Sequence, residues 1–280
     1  MLDTYTYKDF WGKIYRLAPE VSTNYWVDGI IKSEEDLTNF VPPDPDEMNY
    51  DIVDLVVKLA SDEYPVIGDT LGWHVSLLIR GGLDKYCRDV YLNRNFARSL
   101  TRMVGDMQLK IAMNMIDRGV DAISESDDIA GKDDTILQAP NTKLVFSYIE
   151  EMTGICHRHG ITYLKHSDGN LYPILDALIA LGIDVIIPIE PQVMDIADVK
   201  KRYRGRVYIQ GNVDCTWILP NGSEEDVRRD VRRCIDTAAQ GGGFVLSESN
   251  SMHPNVKFEN ILFYVDEARK YGKYPLRLRV

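Results

Sequence analysis

From about residue 64 onward the chain repeats one pattern: a short β-rich apolar run, a polar or glycine-containing turn, then a longer segment with helical spacing. Such an alternation buries both kinds of element only when the strands lie parallel and the helices pack against them, which defines an α/β fold. The predicted strands are 65–67, 121–124, 161–165, 184–188, 206–210 and 243–247. The predicted helices lie near 84–118, 141–158, 171–181, 195–204, 223–239 and 258–272. Segment 84–118 is long enough for two helices. Its apolar positions Leu100, Met103, Val104, Met107, Leu109, Ile111 and Met115 are expected to face the sheet.

Strand–helix units of this number suit either a doubly wound sheet or most of a (β/α)8 barrel, which takes about 250 residues. No glycine-rich dinucleotide fingerprint follows the first strand. Gly241-Gly242-Gly243 precedes a strand where a phosphate cradle would follow one, so it reads as a tight helix-to-strand turn. The expected fold is therefore a TIM-type (β/α)8 barrel, one domain over residues 1–280. Residues 1–63 form an N-terminal segment ending in the proline-rich stretch Pro42-Pro43-Asp44-Pro45-Asp46. Two barrel strands would have to come from that segment, which offers only Tyr25-Trp26-Val27. The barrel is thus expected to be incomplete or irregular at its N-terminus.

Composition narrows the function classes. With 280 residues, 45% hydrophobic and 27% charged, the chain can bury a large core without disulfides or a structural metal. Its four cysteines, Cys87, Cys156, Cys215 and Cys234, form no C-x-x-C pair or closely spaced framework, which points to a reducing, cytoplasmic setting. Met1-Leu2-Asp3-Thr4-Tyr5 lacks the basic and apolar regions of a signal peptide, and no apolar run reaches membrane-spanning length, so no membrane association is expected. A net charge of −11 repels polyanions and argues against nucleic-acid binding. The basic run Arg228-Arg229-Asp230-Val231-Arg232-Arg233 follows Ser223-Glu224-Glu225-Asp226 and reads as the solvated face of a capped helix.

In a parallel barrel, chemistry collects at the C-terminal ends of the strands. Just past the predicted strands stand Asp69 and His74; Glu125, Asp127 and Asp128; His166 and Asp168; Glu190; Asn212 and Asp214; and Glu248, Asn250 and His253. Any one of these can be an ordinary cap or turn residue. In Lys165-His166-Ser167-Asp168-Gly169-Asn170, extended geometry sends His166 and Asp168 to one side, where they can share a proton, a substrate atom or a metal. The alternative is that Asp168 caps the helix beginning near Leu171. Glu190, at the rim of the apolar run Ile186-Ile187-Pro188-Ile189, is a partly desolvated carboxylate suited to a general acid or metal ligand, or to a salt bridge with a neighbouring loop. Asp127 and Asp128 point to opposite sides if extended, so at most one joins the site. Cys215 reads as a plain buried cysteine, and His157 and His159 as partners of a helix C-terminus.

These stretches carry a resemblance. Lys165-His166-Ser167-Asp168-Gly169, Pro188-Ile189-Glu190-Pro191 with Met194-Asp195, Gly211-Asn212-Val213-Asp214, Gly241 to Ser247, and Val256-Lys257-Phe258-Glu259-Asn260 with Tyr271-Gly272-Lys273-Tyr274-Pro275 together resemble the uroporphyrinogen decarboxylase superfamily, in its order and spacing, over roughly residues 60–278. The resemblance implies a (β/α)8 barrel and either decarboxylation or methyl transfer with corrinoid proteins. It also implies a pairing of barrels, hence a homodimer.

Departures from the family pattern separate the branches. The decarboxylases carry an arginine-containing RQAGR stretch, absent from residues 1–63, and a GHG-type histidine whose place falls on Asn250 within Ser249-Asn250-Ser251. Few cations stand where a porphyrinogen's carboxylates would need them, so decarboxylation of uroporphyrinogen is not expected. The thiol-activating methyltransferases hold zinc with a His-x-Cys pair and a later cysteine. Here His166 matches the histidine, Asp168 takes the first cysteine's place, and Asn250 lies near the second. What remains is a nitrogen and oxygen set, His166, Asp168 and Glu190, able to bind zinc or another divalent ion or to act as acid and base. The expected activity is methyl transfer between a small methylated compound and a corrinoid on a separate protein, with His166, Asp168 and Glu190 catalytic and Asp128, Asn212, Asp214, Glu248, Asn250 and His74 binding substrate. The alternatives are a decarboxylase acting on a carboxylated small molecule and a non-catalytic, ligand-binding barrel.

Overall fold

The structure is a computed structural model that describes residues 5–18, 23–61, 63–138 and 141–276. The first four residues, on which the reading of the N-terminus partly rests, lie outside that range. The chain divides into two compact units, residues 1–127 with 137–163, and residues 128–136 with 164–280.

The first unit opens with an antiparallel meander of β1 (Thr6–Lys8), β2 (Lys13–Ala18) and β3 (Thr23–Gly29). Tyr25-Trp26-Val27, the one candidate for a missing barrel strand, lies in β3, where Trp26 pairs with Tyr15 and Tyr25 with Arg16. It therefore does not supply a parallel barrel strand. Neighbouring strands close a hairpin over a few residues, whereas parallel pairing needs a crossover of about a dozen. Next come α1 (Glu34–Asn39), capped by a Ser33–Asp36 capping box, a 3-10 turn at Pro45–Glu47, and α2 (Asp51–Ala60). The proline-rich stretch is tied down: Asn114 donates to the Pro45 carbonyl at 3.1 Å, and Lys110 pairs with Asp44 at 3.1 Å.

The unit continues with β4 (Ile67–Thr70), α3 (His74–Arg80), α4 (Leu83–Leu92), α5 (Arg94–Ile116), β5 (Ala122–Ser126) and α6 (Lys143–Arg158). The long helical segment does split into two helices, at Asn93. Leu100, Val104, Met107, Leu109 and Met115 of α5 are buried, while Met103 and Ile111 are half-buried. Trp73 and Tyr86 meet edge-on in the core, with ring centroids 5.7 Å apart.

Then follow β6 (Thr162–His166), α7 (Leu175–Ala180), β7 (Val185–Ile187), α8 (Ile196–Tyr203), β8 (Tyr208–Val213), α9 (Ile218–Asn221), α10 (Glu224–Ala238), β9 (Phe244–Glu248) and α11 (Phe258–Tyr271). In the second unit Val213, Leu219, Val227, Val231, Cys234 and Ile235 form one buried cluster. Gly241, Gly242 and Gly243 all take positive φ, making the tight turn from α10 into β9 that their position before a strand implied. Ser223 and Asp226 form the expected capping box on α10. The arginine run beyond it is less solvated than expected, because Arg228 and Arg232 both reach the buried Glu267 of α11, at 2.8 and 2.6 Å.

Each strand predicted from residue 64 onward has a counterpart, although β4 is displaced from 65–67 to Ile67–Thr70 and so contains Asp69; the strands assemble as one six-stranded sheet in the order β4-β5-β6-β7-β8-β9, with β4–β5, β6–β7, β7–β8 and β8–β9 parallel. A doubly wound sheet reverses its strand order at a switch point. Sequential order without reversal is that of a β/α barrel, here with six regular strands among the described residues and an irregular, antiparallel N-terminal part. No helix of the described residues is long and apolar enough to cross a membrane.

Candidate functional site

In the second unit the residues just beyond β6 are drawn together with the segment that starts at Asp128. His166 closes β6, and the chain then turns through Ser167, Asp168 and Gly169. The buried Ser167 hydroxyl accepts the Ile129 amide at 3.0 Å, and the Asp168 amide donates to Asp128 Oδ1 at 2.9 Å. Gly169 makes this approach possible. At φ +88 it takes a backbone shape that other residues avoid, and a Cβ there would lie 2.5 Å from the Gly131 carbonyl oxygen. Its amide donates to Glu190 Oε2 at 2.9 Å.

These links focus three side chains. His166 Nε2 is 3.6 Å from Asp128 Oδ1 and 3.8 Å from Asp168 Oδ1. Asp128, His166 and Asp168 each offer one ligand atom, and those atoms all lie within 4.8 Å of one another. The side chains of His166, Asp168 and Asp128 are 23%, 26% and 40% exposed, which is open enough for a ligand to reach and closed enough to weaken hydration. Asn250, from the segment after β9, donates its side-chain amide to Asp168 Oδ2. The other oxygen, Oδ1, is buried without a hydrogen-bond partner.

The electrostatics follow from that crowding. Burial, reinforced by the carboxylates of Asp128 and Glu190, pushes the Asp168 carboxyl up to about 6 against the bond from Asn250. Burial also lowers the His166 imidazole below its ordinary range, opposed by Asp128 and assisted by Lys165. A neutral imidazole and a carboxylate whose charge is poorly offset form a set that a divalent cation would satisfy. The orphaned Oδ1 of Asp168 fits such an ion.

The remaining site candidates lie outside the group that could hold an ion. Asn212, at the end of β8, is buried, and its side-chain oxygen accepts from the Arg233 guanidinium of α10 at 3.2 Å. Asp214 Oδ1 accepts the amides of Thr216 and Trp217 at 2.7 and 3.0 Å and the Gln192 side chain at 3.1 Å. Glu248 ends β9, half-buried. His253 Nε2 lies 3.2 Å from the Cys215 carbonyl, and the Cys215 thiol is buried with its pKa raised by burial. His74 belongs to the first unit, where its amide donates to Asp127 Oδ1 at 2.9 Å. There Asp127 and Glu125 are both buried, Tyr163 donates its hydroxyl to Glu125 Oε2 at 2.6 Å, and Ser126 donates to Asp69 at 2.6 Å. The helix-capping alternative for Asp168 fails: α7 begins only at Leu175, with Ile174 at its N-cap, and the Asp168 side chain turns to Asn250.

Sequence reasoning placed Asp128 among substrate-binding residues and Glu190 with His166 and Asp168; in the structure the group that could hold an ion is Asp128, His166 and Asp168, and Glu190 Oε2 accepts the Gly169 amide. The parts played by Ser167 and Gly169 were missed. The signal available was a glycine directly after the acid of a His-Ser-Asp turn.

Fold and site together define a parallel β/α barrel protein with imidazole and carboxylates gathered past its strand ends. The chain belongs to the uroporphyrinogen decarboxylase (URO-D) family, whose model matches residues 22–271. A uroporphyrinogen decarboxylase of Pseudoalteromonas atlantica is 24% identical over 261 residues, covering 86% of this chain and 70% of the relative. One of Xanthomonas oryzae pv. oryzae is 31% identical over 99 residues, covering 34% of this chain and 25% of the relative. The first of these matches thus spans most of the chain and the second only a quarter of the relative's own length. Among solved structures, a methyltransferase from Methanosarcina mazei superposes with a TM-score of 0.78 at 15% identity, covering 94% of this chain and 77% of that one. At such identity the likeness establishes the fold.

Proposed function

We propose that this chain moves a methyl group between a small methylated compound and a corrinoid carried by a separate protein, using a divalent ion held by His166, Asp128 and Asp168. The observation that carries the reading is the gathering of ligand atoms from Asp128, His166 and Asp168 within 4.8 Å of one another, with Asp168 Oδ1 buried and making no hydrogen bond. Bound there, zinc or another divalent ion supplies Lewis acidity to the departing heteroatom of a methyl ether, amine or thioether, which is otherwise a poor leaving group. The likeness to a methyltransferase supports the assignment.

The chain's own residues do the positioning. Asn250 occupies Oδ2 of Asp168, so Oδ1 is the oxygen that would hold an ion. The Asp168 amide fixes Asp128, and Glu190 fixes the Gly169 turn, so the donors are set before any ligand arrives. Without an ion, the Asp168 carboxyl, raised to about 6, would instead hold a proton for a fraction of the time and give it to the leaving atom. Glu248 and Asn250, from β9 and the segment after it, are the substrate-facing groups in this reading; Asn212 and Asp214 serve by holding β8 to α10 and the turn into α9.

A second reading, decarboxylation of a carboxylated small molecule, is favoured by the curated relatives, which are uroporphyrinogen decarboxylases. The crowded carboxylates of Asp128, Asp168 and Glu190 oppose an anionic substrate unless a cation intervenes. The experiment is a metal analysis of the purified chain, followed by mixing with reduced cobalamin and a panel of methyl ethers, amines and thioethers. One divalent ion per chain and growth of methylcobalamin absorbance, both lost in His166→Ala, are expected. Carbon dioxide release from a candidate acid with no methyl transfer from any donor would replace the proposal with the second reading.

A further inference from the structure

Between α5 and α6 in the first unit lies a cavity of about 300 Å³ that the methyl-transfer reading does not use. Its rim is cationic. α5 contributes Arg94, Arg98 and Arg102, one helical turn apart, and α6 contributes Lys143 at its first position. Its floor is apolar and buried, made by Leu109, Leu144 and the Tyr148 ring. Gly105 shapes that floor, because a Cβ there would lie 3.1 Å from the ring.

The charges on the rim are unequal. Arg102 is neutralised by Asp106 and Glu151, each at 2.5 Å. Arg94, Arg98 and Lys143 have no carboxylate within 4.0 Å among the described residues. Like charges gathered without counter-charges repel, and here they do so in a chain whose net charge is −11. The N-terminal end of α6, a helix of 16 residues, adds its positive dipole at the same place. A cavity of this volume sits at the small end of the range for organic ligands.

We infer that this groove binds a small amphipathic anion, a carboxylate or phosphate head on an apolar body, with the head among Arg94, Arg98 and Lys143 and the body on Leu109, Leu144 and Tyr148. The site lies within the first unit, and binding there does not depend on the metal ligands of the second.

The test is calorimetric titration of the full chain with octyl phosphate, octanoate, inorganic phosphate and octanol. Saturable binding of the two amphipathic anions is expected, at least about tenfold tighter than that of inorganic phosphate or octanol, and weakening as salt is raised. The double variant Arg98→Gln/Lys143→Gln should weaken binding about tenfold or more, and Ser147→Trp, which fills the groove from its exposed edge, should abolish it. Both should keep the melting temperature of the parent chain, since all three side chains are exposed. Binding should survive Asp168→Ala, which separates this inference from the methyl-transfer reading. No saturable binding at millimolar anion, equal affinity for octanol or inorganic phosphate, or full affinity in the double variant overturns it.

Discussion

The molecule holds two clusters of acids at strand ends, and they are built in opposite ways. In the first unit Glu125 and Asp127 are 0% and 1% exposed, and each has an oxygen engaged by a donor: the Tyr163 hydroxyl at 2.6 Å and the His74 amide at 2.9 Å. In the second unit Asp128 and Asp168 are partly open, Asp168 keeps one oxygen without a donor, and its carboxyl is pushed up to about 6 by burial and by its acidic neighbours. The first pair is sealed from solvent and tied to the fold by those bonds. The second stands where an ion, a proton or a substrate can reach it, and the Asp168 charge is opposed by its acidic neighbours.

The comparison breaks most sharply at Asp168 and His166. Asp168→Ala or His166→Ala should lower turnover with a methyl donor by about 10²- to 10⁴-fold and remove the bound divalent ion, while leaving the unfolding midpoint within a few degrees of the parent. Metal analysis and denaturation on the same preparation check both halves. An inactive variant that still holds one ion per chain, or a parent that holds none, would count against the assignment of these ligands.

Gly169→Ala is the next largest effect. The side chain adds no charge and removes none, yet it places a methyl group 2.5 Å from the Gly131 carbonyl at a φ of +88. The strain, about 1–3 kcal/mol, is relieved only if the turn shifts, carrying the Asp168 carboxylate and the Gly169–Glu190 bond with it. Activity should fall by about 100-fold, as expected for a misplacement near 1 Å. In the first unit the corresponding change is Tyr163→Phe, which takes the hydroxyl from the fully buried Glu125. It should cost about 1–3 kcal/mol in urea unfolding and leave metal content at the parent level. Loss of metal with little loss of stability in Tyr163→Phe would erase the distinction between the two clusters.

How much of this could be read from the chain differs by region. Strands such as Val185-Ile186-Ile187 are short, β-branched and bounded by polar residues, and local preference alone announces them. At the N-terminus the same local signal in Tyr25-Trp26-Val27 gave a strand but not its partner, because pairing direction depends on which neighbour is close enough to close a hairpin. In α2 the apolar residues Ile52, Leu55, Val56 and Leu59 follow helical spacing, but they are exposed, so a search for buried elements passes over them. At the site, the two-residue spacing of His166 and Asp168 named the pair, and they do approach to 3.8 Å, but β6 ends at His166 and strand alternation does not extend to Asp168. That Asp168 does not cap a helix was not legible, since Asp caps well and only the start of α7 at Leu175 and the contact of Asp168 with Asn250, 82 residues away, decide it.

The smallest effect tests whether a carboxylate's surroundings set its role within a single unit. Asp226 lies in the same unit as Asp168 but is lowered to about 2, first by the Ser223 hydroxyl, then by the Ser223 amide and Arg229. An acid whose folded pKa lies below its ordinary value of 3.8 contributes stability that is complete above that value and is lost as pH falls through about 2. Asp226→Asn should therefore melt slightly below the parent at neutral pH, with the gap constant down to about pH 4 and closing below it. The change should leave metal content and methyl transfer untouched, because the capping box serves the start of α10 alone. A gap that stays constant down to pH 2 would show that Asp226 is not held as an anion by its cap, and that the contrast with Asp168 does not rest on their surroundings.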